Sequence, residues 1–216
     1  RFRVPVFLAT DKDTVATRAT VDLAAYERVP VRERPLADPA APFVPYRVAQ
    51  PGDVPPLAHF GGPHLVRLTS SSHDERGYLT KNPPDVDRLN RHLAAKIEDH
   101  LDEIALVESD LQDGADTLVI SYGITARPAQ EAVEMARAAG RPVSSLVVRS
   151  LWPVPEAAIR AALAGVRRAV VVELNLGQYR REIERLARSE QEVSGVHRVD
   201  GNLIGAGEIL TEGGLV

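Results

Sequence analysis

Apolar and polar positions alternate most regularly between residues 117 and 149. Thr117 to Tyr122 is a short apolar, β-branched run that closes in a turn at Gly123. Apolar positions then recur at Ala129, Val133 and Ala136 with charges on the remaining faces, which predicts an amphipathic helix. Gly140 suits a left-handed helix cap, and Pro142 prevents continuation. Leu146, Val147 and Val148 form a second apolar run. Two short strands joined by such a helix predict a right-handed βαβ unit with parallel strands. The alternation continues with a proline-started helix ending at Gly165, a strand over 169–175, a helix over 176–188 and a weak strand over 193–201. ILTEGGLV reads as a short tail. The expected class is α/β, a three-layer parallel sheet.

The first half is patterned differently. Residues 4–10, VPVFLAT, are apolar enough for a buried strand, although nothing nearby offers a pairing partner. Residues 11–28 are polar, with a short helix or a loop expected from Thr14 to Tyr26. Residues 29–63 hold nine of the sixteen prolines, so neither a regular helix nor a central strand fits there. A stiff, extended, Pro-rich connector is expected, anchored by Phe43, Tyr46, Leu57 and Phe60. Leu65 to Thr69 is a candidate strand and Ser70 to Gly77 a polar loop. Asn82 followed by Pro83 and Pro84 marks a helix start. Val86, Leu89, Leu93, Ile97, Leu101, Ile104 and Val107 then trace one narrow apolar stripe, which predicts a single helix to about Glu108. The domain reading is therefore residues 1–28 as the end of a preceding domain, 29–82 as connector and 83–216 as the α/β domain. A chain that starts directly in an apparent strand reads as a piece of a longer polypeptide.

Composition narrows the function classes. A formal net charge of −4 gives no reason to expect nucleic acid or an anionic membrane as partner. No apolar run is long enough for a membrane-spanning helix. The sequence contains no cysteine, which removes disulfides, thiol nucleophiles and cysteine-ligated iron–sulfur clusters from this chain and is compatible with a cytoplasmic setting.

Three groups of residues bear on chemistry. Ser72, His73 and Asp74 are the residue types of a hydrolase triad, but neighbours in one loop rarely reach triad geometry and no G-x-S-x-G elbow is present. They are expected as polar side chains on a loop beside a cleft or as a locally bonded turn. The six histidines lack metal-ligand spacing, and His92 and His100 stand eight apart on a helix. Gly123, at the carboxyl end of the first parallel strand, lies where open α/β sheets bind ligands, yet the turn is not a phosphate loop. Glu173, Asn175 and Gln178, at the corresponding end of the third strand, either line a cleft or cap the following helix.

The strings SSSHDERGYLTKNPPDVDRL, KIEDHLDEIALVE, TLVISYGITARPAQEAV, LWPVPEAAI and ELNLGQYRREIERL resemble, in order and over essentially the whole chain, the α subunit of 2-oxoacid:ferredoxin oxidoreductases of the 2-oxoglutarate type. The resemblance implies a transketolase C-terminal-like domain from about residue 110, the close of a pyrimidine-binding domain over 1–28 and a wrapping connector between them. It implies oxidative decarboxylation of a 2-oxoacid, acyl transfer to coenzyme A and reduction of ferredoxin, within an assembly containing a β subunit. Thiamine diphosphate, magnesium and an iron–sulfur cluster are expected in the holoenzyme and not in this chain, which lacks the family's Y-P-I-T string. The isolated chain is expected to be inactive, and homo-oligomerisation is expected from its unpartnered apolar residues. Ser72, His73 and Asp74 match the family's loop between connector and C-terminal domain, placed near the substrate entrance. Arg76 and Lys81 are candidates to attract a carboxylate or a coenzyme A phosphate. The rival reading is a stand-alone α/β module that binds a small ligand, or a partner, at the 123/175 edge.

Overall fold

The computed structural model describes residues 1–25 and 30–216. Tyr26 to Val29, where the polar stretch meets the expected connector, lie outside the described residues. The chain divides into two compact units, one of Arg1–Leu8 and Ala19–Leu101 and one of Ala9–Arg18 and Asp102–Val216.

The second unit is built on a five-stranded sheet. Its strands are β1 (Val107–Asp110), β2 (Thr117–Ser121), β3 (Val143–Val148), β4 (Arg168–Glu173) and β5 (Glu192–His197), in the order β1-β3-β2-β4-β5. The pairs β2–β3, β2–β4 and β4–β5 are parallel, while β1 joins the β3 edge antiparallel, with Val107 opposite Val148. Helices α4 (Ala126–Ala138), α5 (Glu156–Leu163) and α6 (Arg180–Leu186) make the crossovers between parallel strands.

Side chains that alternate along the strands separate two cores, as the pleat requires. Leu118, Ile120, Leu146, Val148 and Val171 pack with Ile159 and Leu163 of α5 and Ile183 of α6. Val119, Val143, Val170 and Val172 pack with Ala129, Val133 and Ala136 of α4 and with Ile209. Burial on both faces explains why β2, β3 and β4 read as near-continuous apolar runs. Burying an aliphatic side chain of this size stabilises by about 1.5–3 kcal/mol, so these two cores are the main source of the unit's stability. The three-layer α/β architecture expected from the periodicity is the one observed.

Several local expectations differ. The C-terminal stretch is not a loose tail: α7 (Ala206–Glu212) packs on α4, burying Ile209 and Leu210, and Leu215 is buried beyond it. Helical spacing was masked there by three glycines in nine residues. The long helix expected to Glu108 stops earlier. Helix α2 (Pro83–Glu98) ends at Asp99, a short α3 (Leu101–Ile104) follows, and Val107 belongs to β1. The stripe counted a residue of an edge strand because steps of three and four continue through the bend.

Residues 4–10, which pass from the first unit into the second after Leu8, form no strand. Val6, Phe7 and Leu8 are 86%, 93% and 94% exposed, since no strand among the described residues pairs with them. Leu65 to Thr69 is not a strand either, for the same lack of a partner ladder. The Pro-rich segment carries no helix or strand among its described residues, only an isolated bridge between Leu36 and Leu57. The polar stretch that follows forms α1 (Lys12–Ala16), in the second unit, and a 3-10 turn at Leu23–Ala25, in the first.

Candidate functional site

Strand β2 connects through α4 to β3 on one side of it, and β3 connects through α5 to β4 on the other. The order of connection therefore reverses between β2 and β4, and the carboxyl ends of those two strands are the place where open α/β sheets bind ligands. Tyr122, Gly123 and Thr125 arrive from β2, and Glu173, Leu174 and Asn175 from β4.

Glu173 is fully buried, and its carboxylate is encircled by donors. Tyr122 donates its hydroxyl to Oε2 at 2.8 Å, Tyr179 its backbone N–H to Oε2 at 3.0 Å, and Arg180 its backbone N–H to Oε1 at 3.0 Å. The last two N–H groups belong to the first turn of α6, so the carboxylate meets the positive end of that helix. His197 stands opposite Glu173 in the β4–β5 register, with Nε2 3.4 Å from Oε1 but without a hydrogen bond. Its ring fits between Gly177 and Gly195, either of which would clash with it through an added Cβ.

Asn175 donates Nδ2–H to the Tyr122 hydroxyl at 2.6 Å and accepts the N–H groups of Gly177 and Gln178 through Oδ1. Burial, and then the neighbouring Glu173 carboxylate, hold the Tyr122 phenol well above its ordinary pKa, with Asn175 opposing slightly. Tyr122 is thus a donor fixed in its protonated form. Thr125 ties the two strand ends together, its single hydroxyl hydrogen shared between the carbonyls of Tyr122 and Val172 at 2.8 and 2.9 Å. Gly123 adopts φ +59°, a left-handed conformation, and its turn receives the Asp11 carboxylate on the N–H of Ile124 at 2.8 Å. Beside this network a cavity of about 270 Å³ is lined by Ile124, Thr125, Arg127, Leu174, Leu203 and Ile204. Its walls suit a small, largely apolar ligand group with Arg127 as the one cation in the lining.

The residues expected at this edge are therefore brought together, and Glu173 and Asn175 direct their oxygens to backbone and tyrosine donors. Gln178 contributes its N–H to the Asn175 cap, and its residue is exposed. Tyr122 and Thr125 lie in the turn expected at this edge, whereas His197 and Asp11 were not anticipated there. Parallel-sheet register was the available signal for His197, since a residue ending β5 falls beside one ending β4.

The Ser72–Lys81 stretch, in the first unit, is a tight hairpin. Asp74 donates its N–H to the Tyr78 carbonyl, the Ser72 carbonyl accepts the N–H of Thr80, and His73 bridges to Leu79. Asp74 Oδ1 accepts the N–H groups of Arg76 and Tyr78, both at 2.9 Å, so the carboxylate organises the turn. His73 stacks on Tyr46 with ring centroids 3.9 Å apart and bonds through Nδ1 to the Asp74 carbonyl. Arg76 and Lys81 are exposed and lie free of the cavity lining. His73 and Asp74 do line a cavity of about 170 Å³, together with Tyr46, Arg88, Leu89 and His92. Among the described residues no three His, Asp or Glu side chains gather as a metal donor set.

Comparison with known proteins adds a lineage to this geometry. Residues 115–209 match the family described as pyruvate:ferredoxin oxidoreductase core domain II. The chain is 34% identical to the 2-oxoglutarate synthase subunit KorA of Methanothermobacter marburgensis over 98% of its length and 56% of that protein's. It is 32% identical to the α subunit of 2-oxoacid:ferredoxin oxidoreductase 2 of Aeropyrum pernix, over 81% of this chain and 28% of the other. The chain thus spans about half the length of the 2-oxoglutarate synthase subunits it matches. Its fold is shared with a 2-oxoglutarate:ferredoxin oxidoreductase from Magnetococcus marinus, solved with 2-oxoglutarate, coenzyme A and succinyl-CoA bound. That match has a TM-score of 0.77 and 23% identity, covering 86% of this chain and 32% of the other.

Proposed function

We propose, for a chain whose residues 115–209 match the pyruvate:ferredoxin oxidoreductase core domain II family and which is similar along its length to 2-oxoacid oxidoreductase subunits, that it is the C-terminal portion of such an enzyme's α subunit. The observation that carries this reading is the 34% identity sustained over 98% of the chain. The complete enzyme converts a 2-oxoacid and coenzyme A into an acyl-CoA and carbon dioxide, passing one electron pair to ferredoxin. The preferred substrate on this reading is 2-oxoglutarate.

Thiamine diphosphate supplies the acyl-anion chemistry of such a reaction and an iron–sulfur cluster carries the electrons. This chain does not fit the role of holding them: it has no thiolate for a cluster, and its described residues gather no metal donor set. The reading assigns both, with magnesium, to other parts of the holoenzyme. In it, residues 1–28 close a preceding pyrimidine-binding domain, 29–82 connect, and 83–216 provide the α/β domain for assembly with the β subunit. Ser72, His73, Asp74, Arg76 and Lys81 then stand near the substrate entrance, and Gly123, Glu173, Asn175 and Gln178 buttress the sheet edge.

The test has two arms. Size-exclusion of the 216-residue chain with the cognate β subunit should give co-elution, and the complete complex should reduce a viologen dye only when a 2-oxoacid and coenzyme A are both supplied. The isolated chain should do neither chemistry nor bind thiamine diphosphate. Independent elution together with coenzyme-independent turnover would remove the proposal.

A further inference from the structure

Helix α2 contradicts its own amphipathic pattern at one position. Its single buried residue is Lys96, 5% exposed, whereas Leu93 on the apolar stripe is 45% exposed. His92, Lys96 and His100 recur every fourth residue and therefore share one face of α2 and its terminal turn. That face is covered from two directions. The Gln50–Asp53 turn lies against it: Gly52 donates its N–H to His92 Nδ1 at 3.1 Å, and a Cβ on Gly52 would stand 3.4 Å from the Ala95 carbonyl. The N-terminal segment lies against its other end, with the Phe2 ring 5.0 Å from that of His100 and Arg3 donating to the Pro55 carbonyl at 2.6 Å.

Along this face the cations lack counterions. Among the described residues Lys96 makes no hydrogen bond or ion pair, and Arg3 bonds only to the carbonyls of Pro55 and Pro56. His100 Nδ1 is buried with no partner. The nearest acids are otherwise disposed. Asp53 accepts the N–H of Gln50, Asp99 caps α2, and neither pairs with Lys96 or Arg3. A largely buried lysine without a counterion carries a desolvation cost that a paired anion would offset. Consistently, burial and then the Arg3 charge lower the Lys96 pKa, and burial and then Lys96 lower that of His92, which Asp53 partly opposes. Arg3 also holds φ +51°, a left-handed conformation uncommon for arginine.

We infer that Arg3, Lys96 and His100 form a binding site for an oxyanion, a phosphate or carboxylate group of a small molecule. The inference stands on the geometry of the first unit and is independent of the enzyme assignment. An oxyanion supplies what the three groups lack: a planar fork partner for Arg3, a counterion for Lys96 and an acceptor for the orphan imidazole nitrogen. The bound anion then offsets the charges of Arg3 and Lys96.

Calorimetric titration of the 216-residue chain at fixed chloride tests this, with inorganic phosphate in one arm and succinate in the other. The wild-type chain should bind at least one of them, and the arm that responds names the chemistry. Lys96→Met and Arg3→Gln should each weaken that binding at least tenfold, while Lys96→Arg should retain most of it. Lys96→Met should melt at or above the wild-type temperature without anion, because an uncompensated charge is removed. Should Lys96→Met fail to fold, Arg3→Gln, at a half-buried position, decides the question. Absence of binding in both arms, or equal binding by wild type and the variants, overturns the site.

Discussion

The Asp11 carboxylate accepts the N–H of Ile124 at 2.8 Å across 113 residues of sequence. The donor opens the turn after β2, where the first amides ahead of α4 have no partner within the helix. A Cβ on Gly123 would lie 2.8 Å from the same Asp11 oxygen, so one carboxylate both satisfies the amide and requires glycine beside it.

Asp11→Ala should therefore destabilise the second unit by about 1 kcal/mol, the lower end for a charge-assisted bond because the residue is half-buried. Gly123→Ala should cost more, adding roughly 1–2 kcal/mol of left-handed backbone strain to the clash. Urea denaturation and hydrogen exchange at the Ile124 amide measure both effects. An unaltered exchange rate in Asp11→Ala would mean that the contact contributes nothing in solution.

Glu173→Ala should be among the most damaging single changes, costing about 3 kcal/mol or more, because the Tyr122 hydroxyl and two α6 amides would be left unpaired in the interior. Glu173→Gln keeps one accepting oxygen and should fall between the alanine variant and wild type. A loss under 1 kcal/mol for alanine would show that water replaces the carboxylate.

Alkaline pH offers an independent check on the same network. The folded Tyr122 has a pKa above that of an unfolded tyrosine, which is about 10. Below that value both states keep the proton and stability is flat. Above it the unfolded chain ionises first, so stability falls as pH rises toward the folded pKa. Tyr179 is shifted in the same direction by burial, so Tyr122→Phe should make the decline shallower without abolishing it. Identical slopes for variant and wild type would exclude Tyr122 as a contributor.

A matched glycine pair tests the packing around α2. Gly52 and Gly61 have similar φ, +88° and +79°, but a Cβ at Gly52 meets Asp99 and Ala95 while one at Gly61 meets nothing within 4 Å. Both alanine variants incur backbone strain of roughly 1–2 kcal/mol. Gly52→Ala should lose about 1 kcal/mol beyond that from overpacking. Equal melting temperatures would indicate that the turn yields at no cost.

How far the sequence revealed this molecule depended on which force fixed each element. Strands β2, β3 and β4 are buried on both faces, so their apolar runs alone marked them. Strand β1, VESD, is held by backbone pairing with β3, and its side chains carry no such signal. The VPVFLAT segment failed in the opposite sense, because apolar content argued for burial where the described residues offer no partner ladder. At the sheet edge, Glu173 and Asn175 were placed correctly along the chain, but the choice between cleft and cap needed the positions of Tyr122 and the α6 amides. Lys96 was invisible, since a helical stripe is counted in apolar residues and lysine is scored as facing outward.

The interleaving of the two units also governs how the protein can be cut. The chain leaves the first unit after Leu8, returns at Ala19 and leaves again after Leu101. No single cleavage between them yields two covalently whole halves. Trimming the first hundred residues would strip Asp11 from Ile124, and a boundary drawn just after Arg18 would leave the first unit without Phe2 and Arg3. Protease footprints, surface-display fragments and fluorophore insertions are therefore better designed around the three crossings together than around either unit as a contiguous block.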